Sequence, residues 1–123
     1  MSHNPGFLKA VDEAKKHVEE ITVEQVHKLL ESKHNFVFVD VREDNEWAEG
    51  HAAGAIHLGK GIIERDIETK IPDKNTEIVL YCGGGFRSAL AGEAIQKMGY
   101  RNVLSMAGGI REWRAKKLPE AKP

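Results

Sequence analysis

The sequence predicts a single-domain α/β protein with a mostly parallel sheet. Short apolar runs, typical of buried strands, alternate with longer segments whose apolar residues recur every three or four positions. Such alternation produces parallel strands joined by right-handed helical crossovers. The length of 123 residues suits one domain with one modest core.

Two helices are expected before the first central strand. Apolar residues in the segment 7–18 fall on one helix face. Thr22 and Gln25 have the spacing of a capping box, and the apolar face behind them begins at Val23. This second helix is expected to end near Ser32.

The middle of the chain predicts strand, helix, strand, helix. Residues 36–40 (FVFVD) form a nearly continuous apolar run, typical of a strand buried on both faces. A short helix over 43–49 closed by Gly50, a brief strand at 55–58 and a helix within 61–71 follow.

The last third repeats this alternation. Residues 77–81 (EIVLY) predict a second buried strand, and a helix over 89–98 follows, closed by Gly99. Residues 102–106 predict a third strand, and a last helix is expected over 110–117.

Composition excludes several classes of function. With 18 basic and 19 acidic residues the net charge is -1, and interspersed charges give no indication of nucleic-acid binding. No apolar run approaches the roughly 18 residues of a membrane helix. Charged residues from Lys9 onward interrupt any secretory signal, so a cytoplasmic location is expected. A single cysteine excludes an internal disulfide, and neither a metal nor a cofactor is expected.

That cysteine, Cys82, lies between the strand 77–81 and the following helix. Parallel strands bind ligands at their carboxyl ends, so Cys82 is expected at a site. The glycines 83–85 allow positive φ and let backbone N–H groups converge on the sulfur. Arg87 and the helix start at Arg87 or Ser88 favour a thiolate, which predicts a nucleophilic cysteine. The alternative is a small buried hydrophobe beside a glycine turn.

Asp40 and Arg42 are expected to support the site. Asp40 ends its strand at the same edge of the sheet as Cys82. It could pair with Arg87 and shape the loop, or it could cap a helix or pair with Arg42.

Four rings near these segments have alternative interpretations. His51 and His57 could pair with a thiolate or a metal, but satisfied scaffold contacts are favoured. Trp47 is expected to pack, with a pocket wall as the alternative. Phe86 is expected to be partly exposed in the loop and could dock a partner protein.

Three ordered motifs resemble the single-domain rhodanese family over about residues 22–119. They are FVFVDVREDNEWAEGHAAGAIHLG, VLYCGGGFRSALAG and GGIREWRAKKLP. The resemblance implies a mostly parallel five-stranded sheet flanked by helices on both faces. Residues 21–120 would form the rhodanese-like domain, and residues 1–20 a helical extension that covers the sheet or makes a dimer contact.

The resemblance also implies a reaction, that of a thiosulfate:cyanide sulfurtransferase. Cys82 would take the outer sulfur of thiosulfate or a low-molecular-weight persulfide, hold it as a persulfide, and pass it to a thiol or cyanide. A sulfur-relay protein could be a partner, and the protein would be a monomer or homodimer. The loop that binds the anionic donor would consist of Gly83, Gly84, Gly85, Phe86, Arg87 and Ser88.

Two alternatives remain open at the level of sequence. One is a non-catalytic interaction or regulatory module that retains the scaffold. The other is a cysteine phosphatase or arsenate reductase of the same fold. The related phosphatases have five residues between cysteine and arginine, whereas four separate Cys82 from Arg87 here. The smaller loop favours sulfur transfer.

Overall fold

The computed structural model describes residues 3–123. Its helices are α1 (Pro5–Lys15), α2 (Val23–Glu31), α3 (Asp44–Glu49), α4 (Ile63–Lys70), α5 (Phe86–Gln96) and α6 (Gly109–Ala115). Its strands are β1 (Glu19–Ile21), β2 (Val37–Asp40), β3 (His51–Ala52), β4 (Ile56–His57), β5 (Glu77–Tyr81), β6 (Asn102–Met106) and β7 (Glu120–Ala121). Residues 1 and 2 of the predicted N-terminal extension lie outside the described residues.

A five-stranded parallel sheet with the strand order β1-β6-β5-β2-β4 organises the chain. Strand β5 lies at its centre, between β6 and β2. The register places Asp40 opposite Tyr81, so β2 and β5 end side by side. The predicted mostly parallel five-stranded sheet is confirmed.

Helices cover both faces of this sheet because its central strands are apolar on both sides. Side chains of β2 alternate, with Val39 packed in the cluster that contains Ile67 of α4 and Ile95 of α5. Phe38 packs in the opposite cluster, with α2 and with Trp113 of α6. The predicted flanking of the sheet on both faces is confirmed.

The N-terminal helix packs against α5. Val11 and Ala14 are buried on its inner face, and Val18 is buried beyond its end. The side-chain amide of Gln96 donates to the His17 carbonyl at 3.0 Å, which ties the segment after α1 to the end of α5. This helix ends at Lys15, three residues before the predicted end, because the chain then extends into β1.

The structure differs from the predicted elements at several helix boundaries and in three short strands, β1, β3 and β7, that were not predicted. Helix α5 begins at Phe86, ahead of the predicted start within residues 87–89, because Gly85 caps it with a left-handed φ of 98°. Strand β1 was not predicted, and it pairs with β6 at the edge of the sheet. The capping box at Thr22 is confirmed, with bonds of 2.9 and 3.1 Å to Gln25. Among residues 3–123, no helix combines the length and the apolar composition that a membrane crossing requires.

Candidate active site

The sulfur of Cys82 lies at the junction of β5 and α5 and accepts backbone hydrogen bonds. Its Sγ accepts from the Gly85 N–H at 3.1 Å and from the Ser88 N–H at 3.3 Å. Both donors belong to the first turn of α5 or its cap, where N–H groups lack helical acceptors. Since Cys82 is only 1% exposed, these donors and the helix dipole act in a partly desolvated setting. The arrangement directs two N–H donors and the positive end of the α5 dipole at the sulfur.

Two buried serines extend this hydrogen-bond network. Sγ of Cys82 lies 3.5 Å from the Ser88 hydroxyl oxygen, which in turn lies 2.7 Å from the hydroxyl oxygen of Ser105. A thiol donates to Ser88, whereas a thiolate can accept from the rotated Ser88 hydroxyl while Ser105 donates to Ser88. Sequence reasoning missed Ser105, although a small polar residue inside the apolar run NVLSM was a usable signal.

The three loop glycines have two different reasons for being glycine. Only Gly85 adopts a positive φ. A Cβ on Gly83 would lie 3.3 Å from Nη2 of Arg87, and one on Gly84 would lie 3.1 Å from Nη1 of Arg111. Gly83 and Gly84 therefore leave space for two guanidinium groups beside the sulfur.

Arg87 forms a two-pronged ion pair with Glu46 of α3. Its Nη1 and Nη2 atoms donate to the two carboxylate oxygens at 2.9 and 3.2 Å. This hydrogen-bonded pairing lowers the pKa of Glu46 and raises the pKa of Arg87. Glu46 was not predicted as a site residue, although α3 follows β2 at the same edge of the sheet. The pair orients Arg87 and offsets its charge.

Asp40 and Arg42 form a separate, closed network. Arg42 donates to both carboxylate oxygens of Asp40, with Nη2 at 2.8 Å, and to the Gly50 carbonyl at 2.7 Å. The Tyr81 hydroxyl donates to Asp40 at 2.6 Å and accepts from the Ala52 N–H at 3.0 Å. Burial, and then the charge of Asp40, raises the pKa of Tyr81. Of the two pairings predicted for Asp40, this structure contains the one with Arg42.

The histidines near this network make scaffold contacts. Trp47 stacks on His51 with ring centroids 3.4 Å apart, and the His57 ring lies 5.0 Å from Trp47 on a nearly parallel plane. Nε2 of His57 donates to the Arg42 carbonyl at 2.8 Å. None of these rings lines the cavity beside Cys82. Within residues 3–123, no group of three or more His, Cys, Asp or Glu side chains could hold a metal ion.

A cavity of about 460 Å³ opens beside the sulfur. Its lining consists of His3, Phe7, Cys82, Gly83, Gly84, Phe86, Arg87 and Arg111. Phe86 is partly exposed, as expected, but it is the first residue of α5 and not a residue of the loop. The Phe7 ring centroid lies 6.1 Å from it, and Lys15 Nζ lies 5.0 Å from its ring. The N-terminal helix therefore covers part of the site, which sequence reasoning did not predict.

Helix α6 is hydrogen-bonded to the backbone of the Cys82 loop. The N–H groups of Ile110 and Arg111 donate to the carbonyls of Cys82 and Gly83 at 2.9 and 3.2 Å. Gly109 has a φ of 56°, and a Cβ there would collide with the Cys82 carbonyl oxygen. The carbonyls of Cys82 and Gly83 are therefore both bonded to N–H groups of α6.

Comparison with known proteins identifies the family. The family model described as rhodanese-like domain matches residues 22–116, so the chain belongs to the rhodanese-like family, which confirms the resemblance. "Putative sulfurtransferase YtwF" of Bacillus subtilis (strain 168) is 31% identical over 103 residues, which are 84% of this chain and 97% of that protein.

Two further similar proteins align with this chain over different shares of their own length. "Putative sulfur carrier protein YrkF" of the same bacterium is 29% identical over 99 residues, or 80% of this chain, which spans only 52% of YrkF. The solved structure of RPA3614 from Rhodopseudomonas palustris CGA009 is described as a protein of unknown function and possible tyrosine phosphatase. It is 29% identical, covers 97% of this chain and 96% of its own, and gives a TM-score of 0.86.

Proposed function

We propose that this protein is a sulfurtransferase that carries sulfur as a persulfide on Cys82. The observation that supports this most directly is the environment of Sγ, which accepts two backbone N–H groups and borders a cavity lined by Arg87 and Arg111. Such donors stabilise both a thiolate and the anionic outer sulfur of a persulfide. Membership of the rhodanese-like family and the name of YtwF support a role in sulfur transfer.

The proposed reaction has two displacement steps on sulfur. The Cys82 thiolate attacks the outer sulfur of thiosulfate or a low-molecular-weight persulfide, and a new S–S bond forms at Cys82. The S–S bond of the donor breaks, and sulfite or a thiolate leaves with the electron pair. Cyanide or an acceptor thiolate then attacks the outer sulfur and releases the Cys82 thiolate, so the reaction is ping-pong. The acceptor thiol could belong to a sulfur-relay protein, consistent with the name of YrkF.

Three further interpretations of the sequence stay predictions. They are the division into a residues 1–20 extension and a residues 21–120 domain, the cytoplasmic location, and the monomeric or homodimeric state. Each can be measured separately from the chemistry of Cys82.

The decisive experiment measures the intact mass of reduced protein before and after incubation with thiosulfate or glutathione persulfide. Wild type is expected to gain one sulfur atom and to lose it to cyanide as thiocyanate. Cys82→Ser, which nearly preserves the side-chain volume, is expected to gain none. No gain in wild type with either donor, or an equal gain in both proteins, would refute the proposal and favour a non-catalytic interaction module.

A phosphatase is a second candidate because RPA3614 is described as a possible tyrosine phosphatase. Hydrolysis of p-nitrophenyl phosphate that disappears in Cys82→Ser would support it. We expect no such hydrolysis, since four residues between Cys82 and Arg87 form a small loop suited to one sulfur.

A further inference from the structure

Part of the cavity wall comes from outside the Cys82 loop and outside the family match. His3 and Phe7 precede residue 22, where that match begins. The ring centroids of His3 and Phe7 lie 5.0 and 6.1 Å from that of Phe86. We call His3, Phe7 and Phe86 the aromatic wall. It gives one side of the cavity a face suited to an apolar group.

Arg111 gives the cavity a second positive charge besides that of Arg87. Glu46 pairs with Arg87, but among residues 3–123 no carboxylate oxygen lies within salt-bridge distance of the Arg111 guanidinium. Nη1 of Arg111 lies 3.1 Å from the position of a Cβ on Gly84, which places it over the loop. An anion at the sulfur would therefore meet the guanidinium of Arg111 as well as that of Arg87.

The cavity is also larger than an inorganic donor needs. Its volume of about 460 Å³ falls within the range of organic-ligand sites, roughly 300–1,000 Å³. Thiosulfate has only two sulfurs and three oxygens, so it would fill a small part of this space. An organic substituent on the donor could occupy the rest, against the aromatic wall.

We propose that the aromatic wall and Arg111 form a specificity subsite for a sulfur donor that joins an anionic head to an apolar organic group. An organic thiosulfonate is the simplest member of this class, and its use rests on the proposed function. Attack by the Cys82 thiolate forms the Cys82 S–S bond and breaks the S–S bond of the thiosulfonate. The organic sulfinate leaves with the electron pair beside Arg111, so no oxidant or reductant is needed.

Binding of unreactive anions tests the subsite without any turnover. Calorimetry on reduced wild type is expected to show benzenesulfonate binding about tenfold more tightly than sulfate, because the ring packs on the aromatic wall. Phe7→Ala should remove this preference, and alanine preserves the helical tendency of α1. Leu8→Ala is the matched control, since Leu8 is 37% exposed and does not line the cavity.

The charge is tested by a second pair of variants on α6. Arg111→Gln should weaken the binding of both anions about tenfold. Arg114→Gln should weaken neither, because Arg114 pairs with Glu120 and does not line the cavity. Equal weakening in the two variants would contradict the role of Arg111.

Turnover assays then distinguish a failure of the subsite from a failure of the proposed sulfur transfer. In wild type, kcat/KM for benzenethiosulfonate should exceed that for thiosulfate, and Phe7→Ala should reduce this ratio about tenfold while Leu8→Ala preserves it. Equal affinity of wild type for benzenesulfonate and sulfate, or equal losses in Phe7→Ala and Leu8→Ala, would overturn the subsite. A wild type that binds benzenesulfonate through Phe7 but never takes up sulfur would refute the proposed function and uphold the subsite.

Discussion

Two arginine–carboxylate pairs lie at the carboxyl edge of the same sheet and differ in how completely they are enclosed. The side chains of Arg42 and Asp40 are 4% and 0% exposed, and the Tyr81 hydroxyl completes their network. The side chains of Arg87 and Glu46 are each 32% exposed. Arg87 also faces the cavity beside the sulfur.

The difference shows that the same pairing can serve stability or ligand binding according to what surrounds it. Asp40 accepts from two neighbouring side chains and from the Arg42 backbone, so it is fully bonded inside the protein. Arg87 keeps part of its guanidinium surface toward a space that can admit an anion. We call Asp40 and Arg42 the closed pair, and Glu46 and Arg87 the open pair. Substitutions in the closed pair are expected to lower the free energy of unfolding, and substitutions in the open pair to lower the rate of turnover.

Removing the carboxylate of the closed pair should have the largest effect. Asp40→Ala leaves the buried Arg42 charge without its partner, which typically costs about 3–5 kcal/mol. Urea unfolding monitored by tryptophan fluorescence would measure the loss. Glu46→Gln is the matched control in the open pair, and its cost should be about 1 kcal/mol or less. Equal losses of unfolding free energy in Asp40→Ala and Glu46→Gln would contradict the distinction between the closed and the open pair.

Removing the arginine of the open pair should affect turnover next most strongly. Arg87→Ala takes one charged donor from the site and should lower kcat/KM for thiosulfate about a hundredfold, while unfolding changes by about 1 kcal/mol or less. Arg65→Ala, which breaks an exposed pair with Asp66, is the control and should change neither quantity appreciably. An unchanged rate in Arg87→Ala would remove that residue from the proposed site.

A third variant tests whether Ser105 supports the fold, as Asp40 does, or the reaction at the sulfur. Ser105 is 0% exposed, like Asp40, but its hydroxyl connects through Ser88 to the sulfur. Ser105→Ala should cost about 1 kcal/mol in unfolding and lower persulfide formation about threefold to tenfold. Rapid-quench mass measurement of the sulfur gain would test this. A loss of stability without a slower reaction would place Ser105 with the closed network.

The smallest expected effect is the pH dependence of the open pair. Because Arg87 lowers the pKa of Glu46, the pair contributes stability above the unfolded value of 4.5. This contribution should disappear as the pH falls through the lower folded pKa. The unfolding free energies of wild type and Glu46→Gln should thus differ at pH 6 by about 1 kcal/mol or less and converge near pH 3. A difference that grows on acidification would contradict this assignment.

Local signals in the sequence were enough to predict most of the fold. The capping box at Thr22 and the apolar run of β5 each depend on residues close in sequence. Strand β1 was missed because two of its three residues are glutamates, and only its pairing with β6 makes it a strand. Strands β3 and β7 have two residues each and, unlike the two-residue strand β4, do not lie in an apolar run.

The site was predictable where one segment builds it and not where distant segments meet. Cys82, its glycines and the following helix form one continuous stretch, whose pattern identified the loop. Arg111 approaches that loop only because α6 packs beneath it, and Phe7 only because α1 packs on α5. The edge rule that located Cys82 applies equally to Arg111, which follows β6, and could have identified it.

The contact between Gly109 and the carbonyl of Cys82 limits how this site can be engineered. The carbonyls of the CGGGFR loop are not bonded within the loop. The N–H groups of Ile110 and Arg111 in α6 donate to two of them, and Gly109 leaves the space for this approach. A graft of the loop alone onto another parallel sheet would therefore transfer the cysteine without the amide orientation that surrounds it. The smallest portable unit comprises two strand-to-helix turns, one ending in Ser88 and the other containing Gly109, on adjacent strands of one sheet.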